Sequence, residues 1–192
     1  RRGIVEYKIN NIGYRNDIDY TEDEVEVGAY FGSSITSAIG VPFYQGFGAI
    51  SARELNATCY QFGQGCIAVD NQEILRLLKD VLSSNLKPKY IVLQFINLNR
   101  QYNHNTGITE LSNNYAENVE LFQKTFYEIE QLLKDHPWCF IGTDSVIHEV
   151  GDHITTHSHC LRWNPKFIDR AGVGEHPGIK WHQMIASGIV KH

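Results

Sequence analysis

The sequence predicts an α/β protein built on a doubly wound parallel sheet with helices on both faces, and three observations carry that prediction. Short β-branched or aromatic runs alternate four times with stretches whose apolar residues recur at helical intervals. One of those runs, "YIVLQFI" (Tyr90 to Ile96), is apolar apart from Gln94, as expected of a central strand covered on both sides. A chain of 192 residues, 42% of them hydrophobic, is also long enough to bury a sizeable core as one domain. That domain is expected to span 1–192, with 1–20 as a strand-like lead-in, and no repeat, low-complexity tract or linker divides it.

The elements follow in order. "EVEVGAYF" (Glu24 to Phe31) reads as the first strand, followed by a turn through Gly32-Ser33-Ser34 into something helical. From Pro42 to Leu55, Phe43, Phe47, Ile50 and Leu55 keep a helical spacing, with Pro42 suited to a first turn. "ATCYQFG" is a second short strand. Asp70 then reads as an N-cap, and Glu73 completes a capping box ahead of the apolar face Ile74, Leu77, Leu78, Val81 and Leu82. After the third strand at 90–96, Val119, Phe122, Phe126, Ile129 and Leu133 place a helix over 114–134. "WCFIGTD" is the fourth strand, and "PGIKWHQMIASGIV" closes the chain as a helix. The segments "NHNTGITELSNN" and "IHEVGDHITTHSHCLRWNPKF" read as long connections, where binding residues concentrate.

Composition excludes several classes. The net charge of −5 is mild and spread along the chain, so neither nucleic acid nor an anionic membrane is an expected partner. The longest apolar run is far too short to span a bilayer. "GIVEYKINN" is too polar for a signal-peptide core, and the missing initiator Met suggests a processed chain or a fragment. Cys59, Cys66, Cys139 and Cys160 show no framework spacing, and the first three sit in apolar or strand-like surroundings, so buried thiols in a reducing compartment are expected over disulfides. A soluble protein, cytoplasmic or virion-associated rather than secreted, is the resulting expectation. The sequon at Asn56-Ala57-Thr58 is a triplet common by chance and carries no weight.

In an open parallel sheet, function gathers beyond the carboxyl ends of the strands. Those ends fall at Gly32-Ser33-Ser34, "FGQGC", "INLNR" and "TDSVIHE", and His176 lies in the loop feeding the last helix. A serine after the first strand and a histidine before the last helix meet only through the fold. Nucleophilic acyl transfer needs that pair, because a serine hydroxyl attacks at neutral pH only when an imidazole takes its proton. A phosphate cradle is excluded, since no Lys-Ser/Thr follows the glycines at P-loop spacing.

"YFGSSITSAIGVPFYQGFGAISAREL" resembles the first block of the SGNH (GDSL-type) hydrolases, and "GEHPGIKWHQMIA" resembles their last. "CYQFGQGCIAVDN" is similar to the second block, and "YKINNIGYRND" to a lead-in that precedes this domain in some members. The resemblance implies a three-layer α/β/α sandwich with a flavodoxin-like parallel sheet and hydrolysis of an acetyl or other acyl ester without a cofactor. Carried across position by position, it makes Ser34 the nucleophile and His176 the general base. The oxyanion donors become the N–H of Cys66, which follows Gly65, and the side chain of Asn97 or, one register on, Asn99.

Three marks of the family are altered. Ser33 stands where the family has Asp, and Cys66 replaces the oxyanion-hole glycine. The triad acid normally lies three residues before the histidine, where this chain has Val173. Loss of the acid costs about 10⁴-fold when the imidazole is left in the wrong tautomer, and loss of one oxyanion donor about 10²–10³-fold. A carbonyl, or the carboxylate of Asp144, Asp152, Asp169 or Glu175, is left to orient His176. Each feature has a plainer reading too. Ser33, Ser34 and Thr36 suit a helix start, Asn97, Asn99 and Arg100 a strand end, Gly63 and Gly65 a tight turn, and His182 packing.

A second group, His148, Asp152, His153, His157, His159 and Cys160, offers ligand types suited to zinc but meets no established spacing, so no metal is expected. Two functions remain. The first is a serine esterase acting on a small ester or an acylated sugar. The second is a catalytically impaired domain of the same fold, serving in carbohydrate binding or as a structural subunit, such as a bacteriophage virion component, with self-assembly or a larger assembly as its partner.

Overall fold

The computed structural model describes residues 5–24, 26–63, 69–103, 105–106, 108–142, 154, 157–162, 169, 171 and 176–192. Its strands and helices, in chain order, are β1 (Val27–Gly32), α1 (Phe47–Glu54), β2 (Thr58–Gly63), α2 (Asn71–Ser83), β3 (Pro88–Gln94), β4 (Arg100–Asn103), β5 (Ile108–Leu111), α3 (Tyr115–Leu133), β6 (Trp138–Gly142), β7 (Cys160–Arg162) and α4 (Ile179–Lys191). Five parallel strands form the main sheet in the order β2-β1-β3-β6-β7, and β4 and β5 make a separate antiparallel hairpin. The order reverses between β1 and β3, which places the topological switch point, and so the expected site, above those two carboxyl ends.

Strand alternation divides the core into two layers. Val27, Ala29, Phe31, Ile91, Leu93, Trp138 and Phe140 join the buried faces of α2 and α3. Tyr30, Tyr90, Val92, Cys139 and Ile141 join α1 and α4 on the other side. The central strands are therefore buried on both faces over most of their length, which is why β3 reads from Tyr90 to Leu93 as an apolar run. Asp70 caps α2 by accepting from the Glu73 N–H at 2.8 Å, and the Glu73 carboxylate takes a two-pronged bond from Arg76.

The structure departs from the expected elements at five places. The turn after β1 does not run straight into a helix: residues 34–40 form successive turns. The single helix expected from Pro42 is split into a 3-10 turn, Phe43–Gln45, and α1, because Gly46 is extended with ψ 148°. A Cβ there would lie 2.7 Å from that of Ala38, so the break is where the chain packs back on the preceding loop. The connection at "NHNTGITELSNN" carries β5, which pairs back on β4 just before it, and the one at "HSHCLRW" contributes β7, a three-residue edge strand too short to show alternation. The lead-in is a turn rather than a continuous strand, with one antiparallel bridge, Ile9 to Arg15, closed around Gly13 at φ +90°.

That lead-in docks firmly. Asn16 caps the edge of β2 by exchanging two hydrogen bonds with the backbone of Gln61, at 2.8 and 3.1 Å. Burial raises the thiols of Cys59 and Cys139, the second to about 12, and neither is in a disulfide. Among the described residues no helix is long and apolar enough to cross a membrane.

Candidate active site

Two chain segments 142 residues apart converge at the switch point: the Nε2 of His176 lies 2.9 Å from the Oγ of Ser34. The serine sits at the start of the turns that leave β1. Its carbonyl accepts from the Ile39 N–H and that of Ser33 from the Ser37 N–H, both at 3.0 Å, so the loop closes on its own backbone. Ser33 and Ser34 are both buried.

Gln94, the last residue of β3, holds this turn from the neighbouring strand. Its Oε1 accepts from the Ser33 N–H (3.0 Å), the Ser33 Oγ (2.8 Å) and the Thr36 Oγ1 (3.2 Å), while its Nε2 donates to the Phe95 carbonyl at 2.9 Å. Gly32 is required for this approach, because a Cβ at its φ of +158° would crowd the Thr36 hydroxyl and lie 2.8 Å from the Gln94 oxygen. Sequence reading missed Gln94. The available signal was one polar residue in an otherwise apolar strand, next to the strand end that carries the chemistry.

Arg15 braces the same loop from the lead-in. Its guanidinium donates to the carbonyls of Ser37 (2.7 Å), Ala38 and Val41 (2.8 Å), and its carbon lies 4.1 Å from the centre of the Tyr7 ring. Burial lowers its pKa without threatening its charge.

The histidine is set by the start of α4. The carboxylate of Asp169 accepts from the N–H groups of Lys180 (2.9 Å) and Trp181 (3.1 Å), and its carbonyl accepts from Gly178. The His176 carbonyl accepts from the Ala171 N–H at 2.9 Å. Asp169 thus caps α4 rather than bonding to the ring. The His176 Nδ1 is buried and has no hydrogen-bond partner among the described residues. Asp144, Asp152, Val173 and Glu175 lie outside those residues, as do Gly65 and Cys66.

Beyond β3 the two candidate asparagines differ. Asn97 is exposed, with its Oδ1 at 3.5 Å from the Asn99 N–H, and Asn99 is half-buried. The loop carrying them is clamped by Asn71 at the start of α2, which exchanges two 2.9 Å bonds with the backbone of Ile96. His182 is fully buried in α4 and acts through packing and capping. Its Nδ1 accepts from the Phe47 N–H at 3.2 Å, at the first turn of α1, and burial pushes its pKa down to about 4.

The histidines weighed as metal ligands have other partners where they are described. His157 Nε2 bonds to Glu130 at 2.8 Å, and His159 Nδ1 lies 3.3 Å from His192 Nε2. Cys160 is in β7. His148, Asp152 and His153 lie outside the described residues.

No protein-family model and no curated protein matches this sequence. Solved structures do resemble it. One is a carbohydrate esterase whose active site displays divergent catalytic and non-catalytic binding functions, at 14% identity over 88% of this chain and 68% of that one, TM-score 0.56. A second is an acetyl xylan esterase from the rumen bacterium Butyrivibrio proteoclasticus, at 16% identity over 88% and 63%, TM-score 0.55. A third is a lipolytic protein of the G-D-S-L family from Desulfitobacterium hafniense, at 11% identity over 86% and 98%, TM-score 0.57. At these identities the likeness is one of fold: the chain has an SGNH-hydrolase-like three-layer α/β/α architecture, strongly diverged in sequence.

Proposed function

From an SGNH-like fold with Ser34 and His176 in hydrogen-bond contact at its switch point, we propose that the protein is a serine ester hydrolase. The carrying observation is the 2.9 Å contact between the serine Oγ and the histidine Nε2. In this reading Oγ attacks the acyl carbon while Nε2 takes the hydroxyl proton, giving a tetrahedral oxyanion. Collapse breaks the ester C–O bond, and the imidazolium returns the proton to the departing alcohol. Water, deprotonated by the same imidazole, then attacks the acyl-serine, which releases the carboxylic acid and restores the hydroxyl. The oxyanion is assigned to the backbone N–H of Cys66 and the side-chain amide of Asn97, each worth about 10²–10³ in rate if removed. The acyl group is assigned to a small ester or an acylated sugar, the direction in which the neighbours named as carbohydrate and acetyl xylan esterases also point.

The experiment is twofold. A fluorophosphonate probe is expected to label Ser34, and p-nitrophenyl acetate turnover is expected to fall about 10⁴-fold in Ser34→Ala and in His176→Ala. Equal behaviour of wild type and Ser34→Ala on short acyl esters, with no label on Ser34, would retire the esterase and leave the impaired, binding or structural role.

A further inference from the structure

Two imidazoles meet at the amino ends of the strands, the far end of the sheet from Ser34. His159 stands just before β7, where its carbonyl accepts from the Phe140 N–H at 3.0 Å and so extends the pairing with β6. His192 follows α4, whose buried residues Trp181, Ile185 and Ile189 pack with Cys139 and Ile141 of β6. The Nδ1 of His159 lies 3.3 Å from the Nε2 of His192, with ring centres 5.5 Å apart and planes at 71°. His192 is not among the ligand types that the sequence groups between 148 and 160, and only the fold brings it there.

That separation is long for a hydrogen bond, since N–H donors favour roughly 2.7–3.2 Å. It suits a shared cation better. A tetrahedral zinc with Zn–N bonds of about 2.0–2.1 Å sets two ligand nitrogens about 3.3–3.4 Å apart. His159 is already held in place for such a role. Its ring stacks on Trp138 at 5.0 Å and 23°, and its N–H donates to the His157 Nδ1 at 3.2 Å, while His157 Nε2 bonds to Glu130 at 2.8 Å. Burial, and after it the nearby His157 and His192, hold the His159 pKa below its ordinary value of 6.5. The ring is therefore mostly neutral at pH 7, the form that binds metal. His192 is exposed, so its ring can turn onto the cation without disturbing the core.

Both rings line a cavity of about 370 Å³ together with Tyr90, Trp138, Cys139 and Ile189, which gives metal-bound water room beside them. The charges around it do not compete. The Lys89 ammonium on the same wall is engaged by the Glu26 carboxylate and the Leu55 carbonyl. Cys139 is a buried thiol pushed up to about 12 and is not counted as a thiolate ligand. Among the described residues no three His, Cys, Asp or Glu side chains are grouped to hold a metal, so the protein supplies two ligands here. Two imidazoles without a carboxylate favour a borderline cation such as zinc over magnesium or calcium, which take oxygen ligands.

We propose that this pair is a zinc-class metal site, in which a divalent transition cation is held by His159 Nδ1 and His192 Nε2 with water in its remaining positions. Such a cation joins the start of the edge strand β7 to the end of α4. It is remote from Ser34 and independent of the esterase reading. With half the ligands of a four-ligand structural site, and so about half its binding free energy, a Kd of roughly 1–200 µM is expected.

The 192-residue chain, stripped with a chelator and dialysed, is titrated with zinc chloride by calorimetry, with magnesium chloride as the control. One saturable zinc site is expected, with no binding of magnesium. His192→Ala, at an exposed position outside the core, is expected to weaken zinc binding by at least about tenfold, and His159→Asn to do the same. His136→Ala and Ser34→Ala are expected to leave it unchanged. Absorption at the zinc edge is expected to show two imidazole nitrogens at about 2.0–2.1 Å. Zinc is also expected to raise the Tm of the wild type and not that of His192→Ala. The proposal is overturned by the lack of a saturable zinc site below about 1 mM. Binding that His192→Ala leaves intact, or that His136→Ala or Ser34→Ala removes, overturns it too, because the metal then sits on other side chains.

Discussion

The carboxamide oxygen of Gln94 accepts hydrogen bonds from both the N–H and the Oγ of Ser33, at 3.0 and 2.8 Å, and so ties the turn carrying Ser34 to the central strand. The backbone N–H is a donor that cannot be reversed, and the Phe95 carbonyl opposite is an acceptor, so only an amide satisfies both sides. Ser33 occupies the position where the resembling family has an acid. A serine there donates to Gln94, which an aspartate could not do while ionised.

Gln94→Leu is accordingly expected to orphan three buried donors, at a cost of about 1–3 kcal/mol for each group left unsatisfied. Gln94→Glu keeps the acceptor, loses the donor to Phe95 and is expected to fall between wild type and the leucine variant. Thermal melts give the order. The ester turnover of the folded glutamate variant separates positioning from mere stability, since an unmoved kcat would limit Gln94 to a structural role.

His182 makes a pH prediction. Its folded pKa, about 4, lies below the ordinary value of 6.5, because burial disfavours the cation and a protonated Nδ1 cannot accept from Phe47. The unfolded chain therefore binds more protons between these values, so stability is full above about pH 6.5 and is lost as pH falls toward 4. The loss is expected to reach about 1–3 kcal/mol between pH 7 and 5. His182→Asn retains an acceptor near Nδ1 and cannot titrate. It is expected to be less stable at neutral pH but to lack this part of the acid sensitivity. Urea unfolding of both proteins at the two pH values checks it, and parallel pH slopes would refute the assignment.

Arg15 makes a prediction about order in the loop. One guanidinium bridges the carbonyls of Ser37, Ala38 and Val41, a reach that a single ammonium lacks. Arg15→Lys is expected to cost at least about 2 kcal/mol, given 1.5–3 kcal/mol for a typical charged hydrogen bond. Faster amide hydrogen exchange is expected at residues 35–41, with β3 and α2 unaffected. Exchange that stays unchanged in the loop would mean that the turns after Ser34 hold themselves.

Some of this was legible in the chain and some was not, for identifiable reasons. The apolar run of β3, broken at its end by Gln94, announced a strand covered on both faces, and Asp70 with Glu73 announced the start of α2. Both signals are local, set by residues a few places apart. The break at Gly46 was hidden because its cause is the Ala38 side chain across the loop. β7 was hidden because three residues at a sheet edge carry no pattern. Gln94, Arg15 and Asn71 were legible as residue types but not as roles, since each acts on backbone groups 22–61 positions away in the chain.

The sequence by itself determined the alternation of strand and helix, the buried faces and the strand ends where chemistry could gather, because periodicity and capping are short-range effects. Only the tertiary structure decided that Ser34 and His176 touch, that Asp169 serves α4 instead of the imidazole, and that the lead-in braces the loop beside the serine. Parallel strands are joined through crossovers, so neighbours in space are remote in the chain, and hydrogen bonds between them leave no periodic trace in the sequence.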